Sequence, residues 1–314
     1  MTTRPHFEVS VMGRGVQLGA RTLIMGVLNV TPDSFSDGGL YLDPAAAIHH
    51  GVEMVRQGAD WIDVGGESTR PGSRPISAEE ECARVLPVIK GLRRKLPAVP
   101  ISIDTTKALV AERAAEAGAA VLNEISGLRF DSGIADVARA AEAPLVLMHI
   151  RGRPGDMQKR PFAKSIWRSL EEGLARSIER ALAKGVRRGQ LIIDPGLGFG
   201  KTRAQNFEIL AHLDRLQKFK LPILVGSSRK SFIQAIVSGE GLVPDRSAKG
   251  RRMRGLSAGK ELLSSLPFGD GAAVAIAILN GAHIVRVHDV EQMVPAVRIA
   301  DAVAEAGGRG LRGG

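Results

Sequence analysis

The sequence predicts an α/β domain folded as a (β/α)₈ TIM barrel with an N-terminal β-hairpin, and three observations predict it. Eight short aliphatic runs recur along the chain, a longer amphipathic segment follows each, and polar residues gather at the C-terminal end of every run. Of the 314 residues 44% are hydrophobic but only 4% aromatic, the aliphatic balance that suits a parallel sheet covered on both faces.

Residues 7–20 alternate around Gly13 and Gly15 and read as a hairpin closing the bottom of the barrel. Strands are expected at 23–28, 61–64, 101–103, 120–122, 145–148, 191–193, 223–225 and 284–287. Helices are expected at 44–57, 78–95, 107–117, 133–141, 166–183, 203–218, within a long region 231–279, and at 291–305. Asp43 before Pro44 reads as an N-cap followed by a proline at the first helical position, and Ser77 with Glu80 as a capping box. Gly58, Gly118, Gly185 and Gly281 each stand where a left-handed residue ends a helix before a strand. The barrel then spans 21–306, with a basic insertion near 238–269 and a glycine-rich tail, 307–314, expected to be disordered. An open doubly wound sheet would place a GxGxxG turn after its first strand; NVTPDSFSDGG stands there instead.

Composition narrows the function. The net charge of +10 is concentrated in part at Arg246, Lys249, Arg251, Arg252 and Arg254, with no basic stripe interleaved with aromatics, so no nucleic-acid partner is expected. No run is long enough to span a membrane, and the first ten residues lack the apolar core of a signal peptide. Cys82 is the sole cysteine, which excludes an intramolecular disulfide, suits a cytoplasmic location and reads as a packed thiol rather than a nucleophile.

In a (β/α)₈ barrel the C-terminal strand ends carry the chemistry. Here they carry Asn29, Asp63, Asp104, Asn123, Met148, Asp194, Arg286 and His288. Asp104 and Asp194 could accept paired N–H donors from a flat heterocycle, with Asn123 offering both a donor and an acceptor; metal binding or helix capping is the alternative. Arg70, Arg229, Lys230, Arg286 and His288 form a cationic group suited to an oxyanion such as diphosphate. For Arg286 and His288 the alternative is a salt bridge to Asp289 or Glu291. The long polar loop 29–39 is a candidate lid.

The blocks MGVLNVTPDSFSDGG (25–39), DWIDVGGESTRPGS (60–73), SIDT (102–105), LNEISG (122–127), LIIDPGLGFGK (191–201), GSSRKSF (226–232) and RVHDV (286–290) occur in order across nearly the whole chain. In these blocks the chain resembles the dihydropteroate synthases. The resemblance implies a folate-biosynthesis enzyme that condenses (7,8-dihydropterin-6-yl)methyl diphosphate with 4-aminobenzoate, with Mg²⁺ as cofactor, a homodimer, and sulfonamides as mimics of the aminobenzoate. By motif position Asp104, Asn123, Met148, Asp194, Gly226 and Lys230 would hold the pterin. Thr69, Arg70, Pro71, Phe199, Lys230 and Ser231 would surround the aminobenzoate. Asn29, Arg70, Arg286 and His288 would bind diphosphate, Asn29 through the metal. Asp33 and Phe35 would close over the reacting centre and act there together with Asn29, Asp104, Lys230, Arg286 and His288. A corrinoid-dependent pterin methyltransferase should lack STRPG, SRKS and RVHD, and an idle paralogue should have lost loop residues; all are present. Two departures stand out: the insertion at 238–269, and GDGAA (269–273) where a threonine-containing glycine turn is expected.

Overall fold

The chain alternates its apolar residues with period two at one end, and the hairpin follows from that. In the computed structural model, which describes residues 4–31, 43–69, 73–158, 164–242 and 260–309, β1 (Phe7–Val11) and β2 (Arg14–Leu18) pair antiparallel with Val11 opposite Arg14. The turn is Met12–Gly13, both at positive φ (54° and 71°), as a two-residue hairpin turn requires. It lies to the N-terminal side of the centre expected between Gly13 and Gly15.

Eight parallel strands follow: β3 (Leu23–Asn29), β4 (Trp61–Gly65), β5 (Ile101–Asp104), β6 (Val121–Glu124), β7 (Leu145–Met148), β8 (Leu191–Asp194), β9 (Leu224–Val225) and β10 (Ile284–Val287). They run in the order β8-β7-β6-β5-β4-β3-β10-β9, and a parallel bridge between Ile193 and Ile223 joins the two ends into a barrel. Several strands reach one or two residues past the expected ends, so Asn29, Gly65, Asp104, Asn123 and Asp194 belong to strands rather than to loops. A side chain pointing into the mouth of a barrel need not be apolar, and the ladder continues through it.

The helices are α1 (Pro44–Gln57), α2 (Ala78–Lys95), α3 (Ala108–Glu116), α4 (Gly133–Ala140), α5 (Ile166–Ala183), α6 (Arg203–Ala211), α7 (Ser231–Val237), α8 (Lys260–Leu279) and α9 (Val290–Arg309). The caps follow the sequence: Asp43 Oδ1 accepts from Ala45 N at 2.9 Å, Ser77 Oγ accepts from Glu80 N at 3.1 Å, and Gly58, Gly118, Gly185 and Gly281 lie at φ between 82° and 115°. The capping box is only half made, because Glu80 pairs with Arg84 at 2.6 Å instead of returning a bond.

Three boundaries differ from expectation. The helix expected at 203–218 stops at Ala211 and continues as a 3-10 segment, Leu213–Phe219, whose tighter three-residue period turns both Leu213 and Leu216 inward. The C-terminal ten residues of the supposed insertion, 260–269, form the start of α8, and GDGAA lies within that helix rather than in a turn. The last helix runs to Arg309 and includes Gly307 and Gly308, which weaken a helix by about 1 kcal/mol each without forbidding it.

Two apolar layers result. Outward residues of the strands pack under the helices, while Leu23, Met25, Trp61, Val121, Val146, Ile192, Leu224 and Ile284 fill the lower barrel and meet Val9, Val11 and Leu18 of the hairpin. His283 ties this end together. Its Nδ1 accepts from Ile223 N at 3.1 Å, so Nε2 carries the proton and donates to Pro5 O at 3.0 Å. Burial pushes its pKa down to about 4. With the folded value below the unfolded one, this contribution is complete above about pH 6.5 and is lost as pH falls toward 4. Urea titrations of the wild type and His283→Gln should therefore converge by about 3 kcal/mol between pH 7 and 4. A pH-independent difference would contradict the assignment.

Among the described residues no helix is long and apolar enough to cross a membrane. Cys82 is half-buried, and burial, with Glu81 beside it, pushes the pKa of its thiol upward.

Candidate active site

Strand register sets the upper layer of the barrel. Asn29 lies opposite Gly65, Gly65 opposite Asp104 and Asp104 opposite Asn123, while Met148 lies opposite Asp194. Two members of the layer lack side chains. A Cβ at Gly65 would lie 3.6 Å from Asn29 Oδ1 and 3.7 Å from Asp104 Cβ, and one at Gly226 would lie 3.8 Å from Arg286 Cβ. A methyl would just fit at either place; anything larger would fill the mouth. The layer is thus polar and open on two sides.

Its charges are held by one another. Arg286 Nε donates to Asp63 Oδ2 at 2.6 Å and an Nη donates to Asp104 Oδ2 at 2.7 Å, while Asn123 Nδ2 donates to Asp63 Oδ2 at 2.9 Å. Asp63, one layer lower, is fully buried. Burial raises Asp104 to about 7, with Arg286 pulling down and Asp63 pushing up. It raises Asp194 to about 6, against the 2.6 Å bond from Gly196 N and the charge of Lys230. Lys230, its Nζ 4.1 Å from the centroid of the Phe199 ring, is pushed down to about 8 by burial and Arg286. The mouth therefore combines carboxylates that resist ionisation with a lysine that resists protonation, an arrangement typical of a polar ligand site.

The loops are fixed by side chains that sequence reasoning passed over. Lys201 donates to the carbonyls of His149, Gly196 and Phe199 at 3.0, 2.7 and 3.1 Å, stapling the loop after β8 to the loop after β7. That contact needs glycine: a Cβ at Gly196 would come within 2.1 Å of His149 O. Asp270 of α8 accepts from Arg229 N at 2.8 Å and from the Ser228 hydroxyl at 3.2 Å, and Ser228 Oγ lies 3.3 Å from His288 Nδ1. Lys107 holds Glu67, on the loop after β4, and Glu81 of α2, both at 2.5 Å. Two sequence signals mark them: Lys201 ends the stretch LIIDPGLGFGK, and Asp270 is a lone charge in an apolar stretch.

A family model described as pterin binding enzyme matches residues 25–288. The dihydropteroate synthase of Synechocystis is 44% identical over 285 residues, 91% of each chain. The chain belongs to the dihydropteroate synthase family. Two solved structures agree. The dihydropteroate synthase of Yersinia pestis in a sulfonamide drug complex is 37% identical with a TM-score of 0.82, covering 96% of this chain and all of that one. That of Xanthomonas albilineans with 4-aminobenzoic acid is 38% identical with a TM-score of 0.80, covering 95% and 98%.

Of the residues that the family resemblance singled out, Asn29, Asp104, Asn123, Met148, Asp194, Gly226 and Arg286 come together in the upper layer or at its edge, with Lys230 beside them on Phe199. His288 follows β10 on the same edge, and Ser231 begins α7 next to Lys230. Thr69 lies in the loop after β4; Asp33, Phe35, Arg70 and Pro71 lie outside the described residues. Arg286 pairs with Asp63 and Asp104, not with Asp289 or Glu291. Arg229 departs from expectation, because its guanidinium is engaged by Asp289 at 2.6 and 3.0 Å. Among the described residues no group of three His, Cys, Asp or Glu side chains could hold a metal ion. The amide oxygen of Asn29 at the rim suits Mg²⁺, which usually takes few protein oxygens together with phosphate and water.

Proposed function

We propose that the chain joins the methylene carbon of (7,8-dihydropterin-6-yl)methyl diphosphate to the amine of 4-aminobenzoate, and that the C–O bond breaks before the C–N bond forms. The observation that carries this reading is the barrel mouth, which sets the carboxylates of Asp104 and Asp194 and the amide of Asn123 beside Arg286 and Lys230. Asp194 and Asp104 take the paired N–H donors of the pterin edge, Asn123 supplies a donor and an acceptor, and Met148 packs on the ring. Gly226 leaves the room that the ring needs.

Diphosphate departs with the bonding electron pair, and the pterin delocalises the positive charge left on carbon. Arg286, His288 and Arg70 bind the departing oxyanion, and they stabilise charge as it develops. Asn29 would hold Mg²⁺, which when bound would supply positive charge to the diphosphate oxygens. The carboxylates of Asp104 and Asp194 favour the cation electrostatically. The arylamine, lying among Thr69, Arg70, Pro71, Phe199, Lys230 and Ser231, donates its lone pair and then loses a proton. Asp33 and Phe35 would keep water from the cation. The same pocket would accept sulfonamides as aminobenzoate mimics.

The proposal includes a cytoplasmic homodimer. Phe268 and Ile276 on α8 and Ile299 and Val303 on α9 are exposed apolar side chains on neighbouring helices, which supports a buried protein contact there.

The order of bond changes can be tested with ring-substituted 4-aminobenzoates that differ in amine basicity. Rate-limiting C–O cleavage should leave kcat within about threefold across the series, a barrier change below 1 kcal/mol. A steep rise with nucleophilicity would show that the amine takes part in the bond-breaking step.

A further inference from the structure

A cavity of about 530 Å³ lies outside the barrel mouth, between the loop after β6, the loop after β7 and α5. This is within the range of small-molecule sites, roughly 300–1,000 Å³. Arg129, Arg151, Arg176 and Arg180 line it, with His149 and Met148. The one carboxylate in the lining, Asp156, accepts from Arg153 N at 3.0 Å, and Glu172 lies 3.7 Å from Arg176. With four guanidiniums and one carboxylate in the lining, and Glu172 set against only Arg176 among them, the space remains predominantly cationic.

That charge is felt locally. Burial lowers Arg129, and the neighbouring Arg180, Arg153 and Arg176 lower it further while Glu124 pulls the other way. His149 is held well below its usual range by burial and by Lys201, Arg129 and Arg151. The guanidiniums are also braced: Arg129 donates to the carbonyls of Ser126, Ile150 and Gly152, and Arg180 to that of Gly127. They converge from three separate elements, which suits a tetrahedral oxyanion with acceptors on every side better than a planar carboxylate.

We infer that this cavity is a second anion site, distinct from the barrel mouth, that takes a small molecule carrying two or more phosphate groups. Met148 borders both sites, so an occupant would touch the side chain proposed to pack on the pterin. The inference does not depend on the proposed reaction.

Calorimetric titration of the full chain with inorganic diphosphate tests it. The wild type should bind two equivalents, and Arg176→Ser/Arg180→Ser should lose one of them by at least about tenfold in affinity, with kcat unchanged within about twofold. Arg176 is exposed and Arg180 half-buried on α5, and circular dichroism checks that the double variant folds. Equal stoichiometry and affinity in the two proteins would overturn the inference. So would citrate competing for the second equivalent as well as inorganic triphosphate does, because the site would then select carboxylates. A single equivalent, lost in the double variant, would keep this inference and remove diphosphate binding from the barrel mouth.

Discussion

Asp194→Asn is expected to lower kcat/KM for the pterin diphosphate by about a thousandfold. The substitution keeps the shape of the side chain and a carbonyl oxygen for the 2.6 Å bond from Gly196 N, but it removes the charge and turns one acceptor into a donor. Hydrogen bonds to an ionised partner contribute about 1.5–3 kcal/mol each, so losing a pair costs about 4 kcal/mol, or three powers of ten. The pH profile gives a second reading of the same prediction. Burial raises Asp194 to about 6, so the wild type should lose activity as the carboxylate protonates below that pH. The variant should lack that limb. Pterin affinity that calorimetry finds unchanged in Asp194→Asn would remove this carboxylate from the pterin site.

Arg286→Met is expected to be the most destabilising single change in the barrel. It leaves the Asp63 and Asp104 carboxylates, now paired at 2.6 and 2.7 Å, facing each other without the guanidinium between them. Breaking a buried pair from one side typically costs about 3–5 kcal/mol. The loss should be largest at high pH and should shrink on acidification, because protonating Asp104, already raised to about 7, relieves the unpaired charge. Adding Asp104→Asn to Arg286→Met should recover part of the stability, a coupling that a double-mutant cycle in urea measures directly. A loss below about 1 kcal/mol would mean that water or another cation replaces the guanidinium.

The same two residues show what could be read in advance. Asp194 was legible because it ends a short aliphatic run and precedes a glycine-rich stretch, so both its strand and its rim position follow from local pattern. The helix caps at Asp43 and Ser77 were legible for the same reason. The partners of Arg286 were not, since Asp63 and Asp104 are 223 and 182 residues away and only barrel closure brings the three together. Lys201 and Asp270 escaped because their roles are to hold backbone groups of other loops, and no local signal tells such a residue from a solvated charge. The break after Ala211 depends on which side chains face the sheet. GDGAA looked like a turn because glycine usually marks one, but tertiary packing carries it through a helix.

The most direct test of the proposed function is to run the reaction. The purified protein, incubated with (7,8-dihydropterin-6-yl)methyl diphosphate, 4-aminobenzoate and Mg²⁺, should yield 7,8-dihydropteroate and diphosphate in equal amounts. A sulfonamide should suppress both products in competition with the aminobenzoate. If both substrates bind and no dihydropteroate forms, the charge layout of the barrel mouth serves some other chemistry and the proposed function is wrong.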